Sequence, residues 1–480
     1  MTTRQSNTSA GTGRGPVLPL RYDTRLNPSD TVLWNIERDP TLRTTIVAIA
    51  VLDRAPDWHR LRERIMDGAR DVPRLRQRVT SPPLGIGPPR WEDDPHFDID
   101  YHLRRVALPP PGDLAALLEL AAPIAMAPFD RARPLWEFTL VEGFDGHRAA
   151  LIEKVHHAFT DGVGGMQLAR AFVDDDRDGR ALGVRRPVPA VPTAMHHIPG
   201  GALAEAFGAQ FTGARAAALG TCRLALGALR DPLGFAARTA RGTRSVARLL
   251  SPATAPLSPL MKHRGLSRRL AAFDVDLADA LAAGHAADGT LNDAFLAAVA
   301  GGMIHYHQRH GVNADALRVT MPISRRRDGD PSGNNRFTPV RFTVPLTSEG
   351  PAARMRRLGE LARRWRSEPA LPVSDVIAGV LNRLPVVTTT AVFGSMLKGV
   401  DFVATNVPGL TDRVYLAGAE VLRHYAFAPP SGAAVSIALT SHGNVGCVGI
   451  TADPDAIPDA DVFSECLQLG FAEVLDVGRE

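Results

Sequence analysis

The most informative stretch of this chain reads KVHHAFTDG over residues 154–162. The mostly apolar residues 148–155 predict a buried strand, and residues 162–173 have the spacing of an amphipathic helix. His156 and His157 therefore stand where a strand ends. Successive side chains of an extended chain point to opposite faces. We expect one histidine to face a cavity and the other to point into the protein.

The residue types in this stretch suit proton transfer. A neutral imidazole, with a reference pKa of about 6.5, takes a proton from an alcohol near neutral pH. Asp161 and Gly162 mark the turn into the helix, whose first N–H groups could receive developing negative charge. Two other interpretations stay open: both histidines are buried and hydrogen-bonded, or they bind a metal. The HExxH spacing is absent and no third ligand is evident, which disfavours a metal site.

Composition places the chain among folded globular proteins. Of its 480 residues, 45% are hydrophobic and 22% are charged, and the formal net charge is +4; this length predicts two or three domains. No basic run is interleaved with aromatic residues, so nucleic acid is not an expected partner. No stretch of about 18 apolar residues occurs, so we expect only peripheral membrane contact. The three widely spaced cysteines, Cys222, Cys447 and Cys466, suit a reducing cytosol.

Shifts in composition predict two mixed α/β halves joined by a linker. We expect a disordered tail at 1–20, an N-terminal half at 21–183, a Pro-rich and then basic helical linker at 184–262, and a C-terminal half at 263–480. Within the linker, residues 201–250 are rich in Ala and Arg. That composition fits either a solvated connector helix or an interfacial helix on anionic lipid.

Hydrophobic periodicity also predicts individual elements. Helices are expected at 58–70, 115–125, 162–173, 291–309 and 460–475. Strands or β segments are expected at 44–52, 148–155, 317–322, 339–344, 400–405 and 434–452.

The histidine segment at 156–162 resembles the HHxxxDG motif of the CoA-dependent acyltransferase superfamily, which includes chloramphenicol acetyltransferase and peptide-synthetase condensation domains. The rest of the chain more specifically resembles the bacterial wax ester synthase/acyl-CoA:diacylglycerol acyltransferase family. Its elements follow the family's order over nearly all of residues 26–475. They are Val72-Pro73-Arg74-Leu75-Arg76, Trp91 through Phe97-Asp98, Phe129-Asp130-Arg131, Pro134-Leu135-Trp136-Glu137, Asn292-Asp293, Met321-Pro322-Ile323-Ser324-Arg325, Gly333-Asn334-Asn335 and Thr405-Asn406-Val407-Pro408-Gly409.

This resemblance implies an α/β fold of two chloramphenicol-acetyltransferase-like halves, with the active-site channel at their interface. It implies that His157 is the general base and that His156 supports the site. Asp161 would hold the loop, and Gly162 would permit the turn and a close backbone approach. The residues then expected to bind substrate are Asn292, Asp293, Pro134, Leu135 and Trp136. Asn292 is also a candidate donor to the oxyanion.

Some of these motifs have structural interpretations as well, and the family pattern is not complete. Pro134-Leu135-Trp136 suits the start of a core strand, and Thr290-Leu291-Asn292-Asp293 suits a capping box. The chain has Thr45-Ile46-Val47-Ala48 where the family has a Met-His-Val-Gly-like strand. It has Ser441-His442-Gly443-Asn444 where the family has a Ser-Tyr-x-Gly-like segment. Both departures are expected to lie away from the HHxxxDG segment and to affect acceptor preference.

The resemblance implies transfer of a long-chain acyl group from acyl-CoA to diacylglycerol or a long-chain alcohol, without an acyl-enzyme. Acyl-CoA is then a substrate, and no cofactor is expected. The expected location is the cytoplasm, peripherally on the inner face of the membrane or on lipid bodies. Two alternatives stay open: acyl transfer to another hydroxyl or amine in a natural-product pathway, and a catalytically weak lipid-surface binding protein. No Gly-x-Ser-x-Gly segment occurs, which argues against an α/β-hydrolase route to the same ester.

Overall fold

The computed structural model of the chain describes residues 23–81, 88–160, 162–179, 251–253, 255–324, 337–366 and 374–479. The expected tail at 1–20 and Asp161 lie outside these residues, as does most of the expected linker at 184–262.

Each predicted helix and strand overlaps an element of the structure. In the described residues the helices are α1 (Pro28–Ile36), α2 (Trp58–Asp71), α3 (Ile99–His102), α4 (Leu114–Met126), α5 (Gly162–Phe172), α6 (Leu277–Ala286), α7 (Leu291–Arg309), α8 (Pro351–Arg366), α9 (Ser374–Leu381), α10 (Val386–Leu397) and α11 (Ala460–Arg479). The strands are β1 (Thr45–Leu52), β2 (Gln77–Thr80), β3 (Arg90–Asp93), β4 (Leu103–Ala107), β5 (Trp136–Phe144), β6 (Arg148–His156), β7 (Arg269–Asp276), β8 (Ala316–Ser324), β9 (Phe337–Pro345), β10 (Phe402–Leu410), β11 (Tyr415–Leu416), β12 (Ala419–Phe427), β13 (Val435–His442) and β14 (Val445–Ala452).

The first sheet has the strand order β11-β12-β1-β6-β5-β4. β1 is rich in β-branched and apolar residues because nearly all of its side chains are buried. It pairs antiparallel with β6, which places Thr45 opposite His156 and Ile46 opposite Val155. This pairing sets β1 beside the strand that leads into the histidine segment.

Two strands of the first sheet come from late in the chain. β12 pairs antiparallel with β1, with Ala426 opposite Ala48 and His424 opposite Ala50. The predicted boundaries of the two halves stay predictions, but residues 415–427 of the expected C-terminal half complete the sheet of the N-terminal half. Sequence periodicity does not reveal this crossing, since β12 mixes charged and apolar residues.

The second sheet has the order β7-β14-β13-β10-β8-β9. β10 runs parallel to both β8 and β13, while β13 and β14 form an antiparallel hairpin. Gly443 turns this hairpin with a φ of 54°, a conformation that glycine adopts without steric cost. Helices α6, α7, α8 and α11 pack together against this sheet, around a core that includes Phe295, Val299 and Phe463.

The start of α7 was predicted from its sequence, and the structure confirms it. Oδ2 of Asp293 accepts hydrogen bonds from the backbone N–H and the hydroxyl of Thr290, each at 2.9 Å. The backbone N–H of Asp293 in turn donates to the carbonyl of Thr290. Asp293 is buried, and its side chain completes a capping box with the N-cap residue Thr290.

None of the helices in the described part of the chain is long and apolar enough to cross a membrane.

Candidate active site

A cavity of about 170 Å³ lies between the two sheets, with α5 along one side. Its wall is mostly apolar, with a few polar side chains. The lining residues used below are Ile46, Ala48, Glu153, Val155, His157, Thr160, Phe337, Asn406, His424 and Thr440. Both sheets contribute to this list, so the cavity lies where the resemblance places an active-site channel.

The two histidines point in opposite directions, as strand geometry predicts. His157 lines the cavity, and its ring lies 4.9 Å from the ring of Phe337, centroid to centroid, with the planes tilted by 42°. His156 is fully buried behind the cavity wall, with Trp34 and Phe129 against its ring. The prediction that only one histidine reaches the cavity is confirmed, and that histidine is His157.

Glu37, the residue that caps the end of α1, holds the backbone on both sides of His157. Its Oε1 accepts hydrogen bonds from the backbone N–H of Thr44 at 2.9 Å and from the Thr44 hydroxyl at 3.0 Å. The carbonyl of Thr44 then accepts the backbone N–H of His157 at 3.0 Å. One carboxylate therefore orders the residue that anchors the His157 backbone.

The second oxygen of Glu37 reaches His156. Nε2 of His156 lies 3.0 Å from Oε2 of Glu37, while Nδ1 accepts the backbone N–H of Ala158 at 2.9 Å. A ring nitrogen that accepts a hydrogen bond carries no proton, so the proton of His156 lies on Nε2, facing the carboxylate. Glu37 thereby selects the His156 tautomer that fixes the turn after His157.

The pKa of Glu37 reflects these contacts. Burial raises the pKa, but the contact with the His156 ring and the two donors of Thr44 outweigh burial. The net effect lowers the pKa of Glu37 from 4.5 to about 2, so Glu37 is a carboxylate at neutral pH.

The helix after the histidine segment forms one side of the cavity. α5 begins at Gly162, and Gly165 and Met166 of its first turns line the cavity, as does Thr160 just before it. The small residues of this segment let the backbone come close to the cavity. Asp161, expected to hold the loop, lies outside the described residues, and its role stays a prediction.

Asn292 reaches the cavity only through another residue. Its Oδ1 accepts a hydrogen bond from Nδ2 of Asn406 at 2.8 Å, and it is Asn406 that lines the cavity. Asn292 and Asp293 share one helix start, where Asp293 completes the capping box with Thr290 and Asn292 orients Asn406. The geometry gives neither residue a direct position in the cavity wall, and their expected contact with substrate stays a prediction.

The Pro134-Leu135-Trp136 element lies in the protein core. Leu135 and Trp136 are fully buried, and none of the three residues lines the cavity. The indole N–H of Trp136 donates to the carbonyl of Leu75 at 2.7 Å. The carbonyl of Leu135 accepts the backbone N–H of His156 at 3.1 Å. These contacts favour the core-strand interpretation over direct substrate binding, since the side chains pack away from the cavity.

Replacing Trp136 by Phe tests this interpretation. The change removes a buried hydrogen bond and leaves the Leu75 carbonyl without its donor, so we expect a loss of about 1–3 kcal/mol in the free energy of unfolding. The KM for acyl-CoA and for the acceptor should stay unchanged. Urea unfolding and steady-state kinetics measure the two effects, and a raised KM at unchanged stability would restore the substrate-binding role.

The expectation that both departures from the family pattern lie away from the HHxxxDG segment is wrong for the first of them. Antiparallel pairing puts β1 beside β6, and Ile46 and Ala48 line the same cavity as His157. Distance along the chain is a poor guide here because the strands pair across it. The second departure does not line the cavity: His442 is buried, with Nε2 2.7 Å from the Val421 carbonyl oxygen.

Sequence patterns did not single out Glu37, Thr44 or Phe337. Glu37 follows a short helix close to a second carboxylate, Asp39, and no local periodicity marks it. The available signal was its position just before a buried strand, because a strand next to the histidine strand brings its preceding residues to the histidines.

Most of the chain matches a known protein family. The wax ester synthase/diacylglycerol acyltransferase catalytic domain matches residues 26–295, and the C-terminal domain of the same family matches residues 333–474. A putative diacylglycerol O-acyltransferase of Mycobacterium tuberculosis is 36% identical over 467 residues, which cover 95% of this chain and 92% of the relative. A probable diacylglycerol O-acyltransferase of the same species is 28% identical over 451 residues, covering 92% and 93%.

Solved structures show the same fold at low identity. A wax ester synthase/diacylglycerol acyltransferase from Marinobacter aquaeolei has a TM-score of 0.60 at 21% identity, covering 95% of this chain and all (100%) of that chain. The first condensation domain of the calcium-dependent antibiotic synthetase has a TM-score of 0.59 at 16% identity, covering 95% and 96%. The predicted fold class of two mixed α/β halves is confirmed. The chain belongs to the wax ester synthase/diacylglycerol acyltransferase family.

Proposed function

We propose that this protein transfers a long-chain acyl group from acyl-CoA to the hydroxyl of diacylglycerol or a long-chain alcohol. One observation carries the proposal: His157 lies in the wall of a mostly apolar cavity between the two sheets, on backbone held by Thr44 and Glu37. A cavity of this kind suits an alkyl chain, and the imidazole of His157 suits the removal of a proton from an alcohol.

The reaction proceeds in one ternary complex. His157 takes the proton of the acceptor hydroxyl, and the oxygen attacks the thioester carbonyl to form a tetrahedral oxyanion. The intermediate collapses, the carbon–sulfur bond breaks, and the CoA thiolate takes the proton from His157. Among the described residues, Asn406 has an amide side chain in the cavity wall. Asn406 therefore replaces the predicted Asn292 as the candidate donor to the oxyanion.

The cavity wall supports an acceptor that carries hydrocarbon. Ile46 and Ala48 present only apolar surface beside His157, so the wall favours an acceptor that brings hydrocarbon to the site. The names of the relatives support diacylglycerol as this acceptor. A natural-product hydroxyl or amine remains the second candidate.

Purified full-length protein with palmitoyl-CoA tests the proposal. Free CoA thiol is measured with diacylglycerol, with hexadecanol, and without an acceptor. We expect thiol release that depends on an acceptor. If a folded protein releases no thiol with either acceptor, the proposal fails.

The proposed location is the cytoplasmic face of a membrane or a lipid body, because both acceptors are held in lipid. Three of the large apolar side chains exposed in the described residues lie within eight positions: Val380, Leu384 and Val387 are 56%, 41% and 72% exposed. They flank the turn between α9 and α10. This pair of helices packs on α1 by its other side, and residues 376–397 contain no acidic residue. A short apolar surface with Arg383 beside it suits anionic lipid.

Replacing Val380 and Val387 together by Glu tests this surface. Two exposed apolar side chains that would enter the lipid are lost and two negative charges are added, so we expect vesicle binding to fall by about tenfold or more. Flotation with vesicles of phosphatidylglycerol and phosphatidylcholine measures it. Leu469→Glu is the matched control, since Leu469 is 51% exposed on α11. Equal binding of the double variant and the control would contradict the location of this surface.

A further inference from the structure

A second polar group lies in the cavity, apart from His157. Glu153 of β6 and His424 of β12 both line it, and Nε2 of His424 lies 3.5 Å from Oε2 of Glu153. The two residues are separated by β1, which contributes Ala48 opposite Glu153 and Ala50 opposite His424. Because these two residues are alanines, the longer side chains meet across the strand between them.

The pair is incompletely satisfied. Its distance of 3.5 Å exceeds the roughly 2.7–2.9 Å of a well-formed charge-assisted hydrogen bond. The His424 side chain is 9% exposed, and its Nδ1 is buried without a hydrogen-bond partner among the described residues. Placing a carboxylate in an apolar wall is costly unless partners compensate. The pair therefore has capacity for a further polar partner.

The position of the pair relative to His157 is set by the strand. Glu153 lies on β6, and His157 follows directly after the last residue of that strand. Four residues of extended chain separate their Cα atoms by about 13 Å. Val155, Ile46 and Ala48 line the cavity between them with apolar surface. Thr440 lies in the cavity wall with the pair, and its hydroxyl donates to the carbonyl of His424. The cavity wall thus carries His157 and, separated from it along β6, the Glu153–His424 pair, with apolar side chains between them.

We propose that Glu153, oriented by His424, binds an O–H or N–H donor of a substrate about 13 Å from the reacting hydroxyl. This inference rests on the proposed function and adds a specificity-determining site to it. Two sources carry the required donor: a second hydroxyl along the chain of an acceptor alcohol, and the amide N–H farther from the sulfur in the pantetheine arm of acyl-CoA. A plain hydrocarbon offers the carboxylate no donor in addition to His424.

Two paired comparisons test the site, each with wild type, Glu153→Leu and Glu153→Gln. The first compares the α,ω-diol of dodecane with dodecanol as acceptors for palmitoyl-CoA. The second compares palmitoyl-CoA with the palmitoyl thioester of N-acetylcysteamine, which keeps the amide N–H nearest the sulfur but lacks the farther amide N–H of the pantetheine arm. Glu142→Leu is the matched control. Glu142 lies on β5, pairs with Arg105 and does not line the cavity.

In one of the two comparisons, we expect wild type to favour the donor-bearing substrate in kcat/KM. Glu153→Leu should reduce that preference about tenfold or more, the usual effect of losing a hydrogen bond to a charged group. The comparison that changes identifies the source. Glu153→Gln keeps the shape and should give a smaller loss, which separates binding from a folding defect. If the pair had only a structural role, Glu153→Leu would lower kcat/KM equally for both substrates of a comparison.

Ratios that are the same in wild type and Glu153→Leu in both comparisons would overturn the inference. Activity of wild type with dodecanol reports on the proposed function separately. If wild type is inactive, the rise in Tm on ligand binding replaces kcat/KM as the measured quantity. The rise given by the diol is compared with that given by dodecanol, and the rise given by palmitoyl-CoA with that given by the truncated thioester. A preference for the donor-bearing substrate that is lost in Glu153→Leu supports the site. A preference that Glu153→Leu retains, or that wild type lacks, overturns the inference.

Discussion

Replacing His157 by Ala is expected to lower kcat for acyl transfer by about 10²–10⁴-fold, the usual contribution of a positioned general base. The side chain lies in the cavity wall, whereas the contact that holds its segment, from the His157 N–H to the Thr44 carbonyl, uses only backbone. The variant should therefore fold and keep its KM for acyl-CoA. Thiol release under saturating substrate measures kcat, and circular dichroism checks the fold.

A matched histidine controls for the substitution itself. His305 lies on α7 outside the cavity and contacts Glu473, so His305→Ala should retain the wild-type kcat. If His157→Ala also retained the wild-type kcat, the assignment of the general base would be wrong.

Replacing Glu37 by Gln is expected to lower kcat by about ten- to a hundredfold with little change in KM, because misplacing a catalytic group costs rate more than binding. The amide fits the same space, but its NH₂ would face the Nε2–H of His156. Two donors cannot bond, so His156 must move its proton to Nδ1, which then no longer accepts the Ala158 N–H. The turn after His157 loses that hydrogen bond.

Asp39→Asn is a control for Glu37, since Asp39 lies two residues away and pairs with Lys398 outside the cavity. It should keep the wild-type kcat. A Glu37→Gln variant with the wild-type kcat would show that the carboxylate does not position His157.

Glu37 also makes stability depend on pH in a specific direction. Its pKa in the folded protein is about 2, below the ordinary value of 4.5. A lowered pKa stabilises the fold above the unfolded value, and the contribution disappears as pH falls through the folded value. The difference corresponds to about 3 kcal/mol at neutral pH. Urea unfolding of wild type and Glu37→Gln should therefore differ most above pH 4.5 and converge towards pH 2. A constant difference across that range would contradict the carboxylate's role.

Local rules predicted the elements that have local causes. The β-branched run of β1, the helical spacing of α5 and the Thr290–Asp293 capping box are each specified by neighbours along the chain. Strand alternation likewise predicted that the two adjacent histidines face opposite ways. The motif resemblance then identified His157 as the one in the cavity.

The remaining features depend on pairing between distant segments, which a single sequence does not record. β12 joins the first sheet from late in the chain and brings His424 towards Glu153. Glu37 meets His156 only because β1 lies beside β6. The role of Trp136 was open for the same reason: an aromatic residue in a motif suits core or cavity equally until the packing is known.

The most direct test of the central claim is the stoichiometry of product formation by the full-length protein. Palmitoyl-CoA and hexadecanol are mixed with wild type and with His157→Ala, and ester and free CoA are measured together, with intact-protein mass recorded without alcohol. Acyl transfer by His157 in a ternary complex predicts equal amounts of ester and CoA in wild type, both nearly lost in the variant, and no acylated protein. Acylated wild-type protein, CoA release without ester, or undiminished ester from the variant would contradict it.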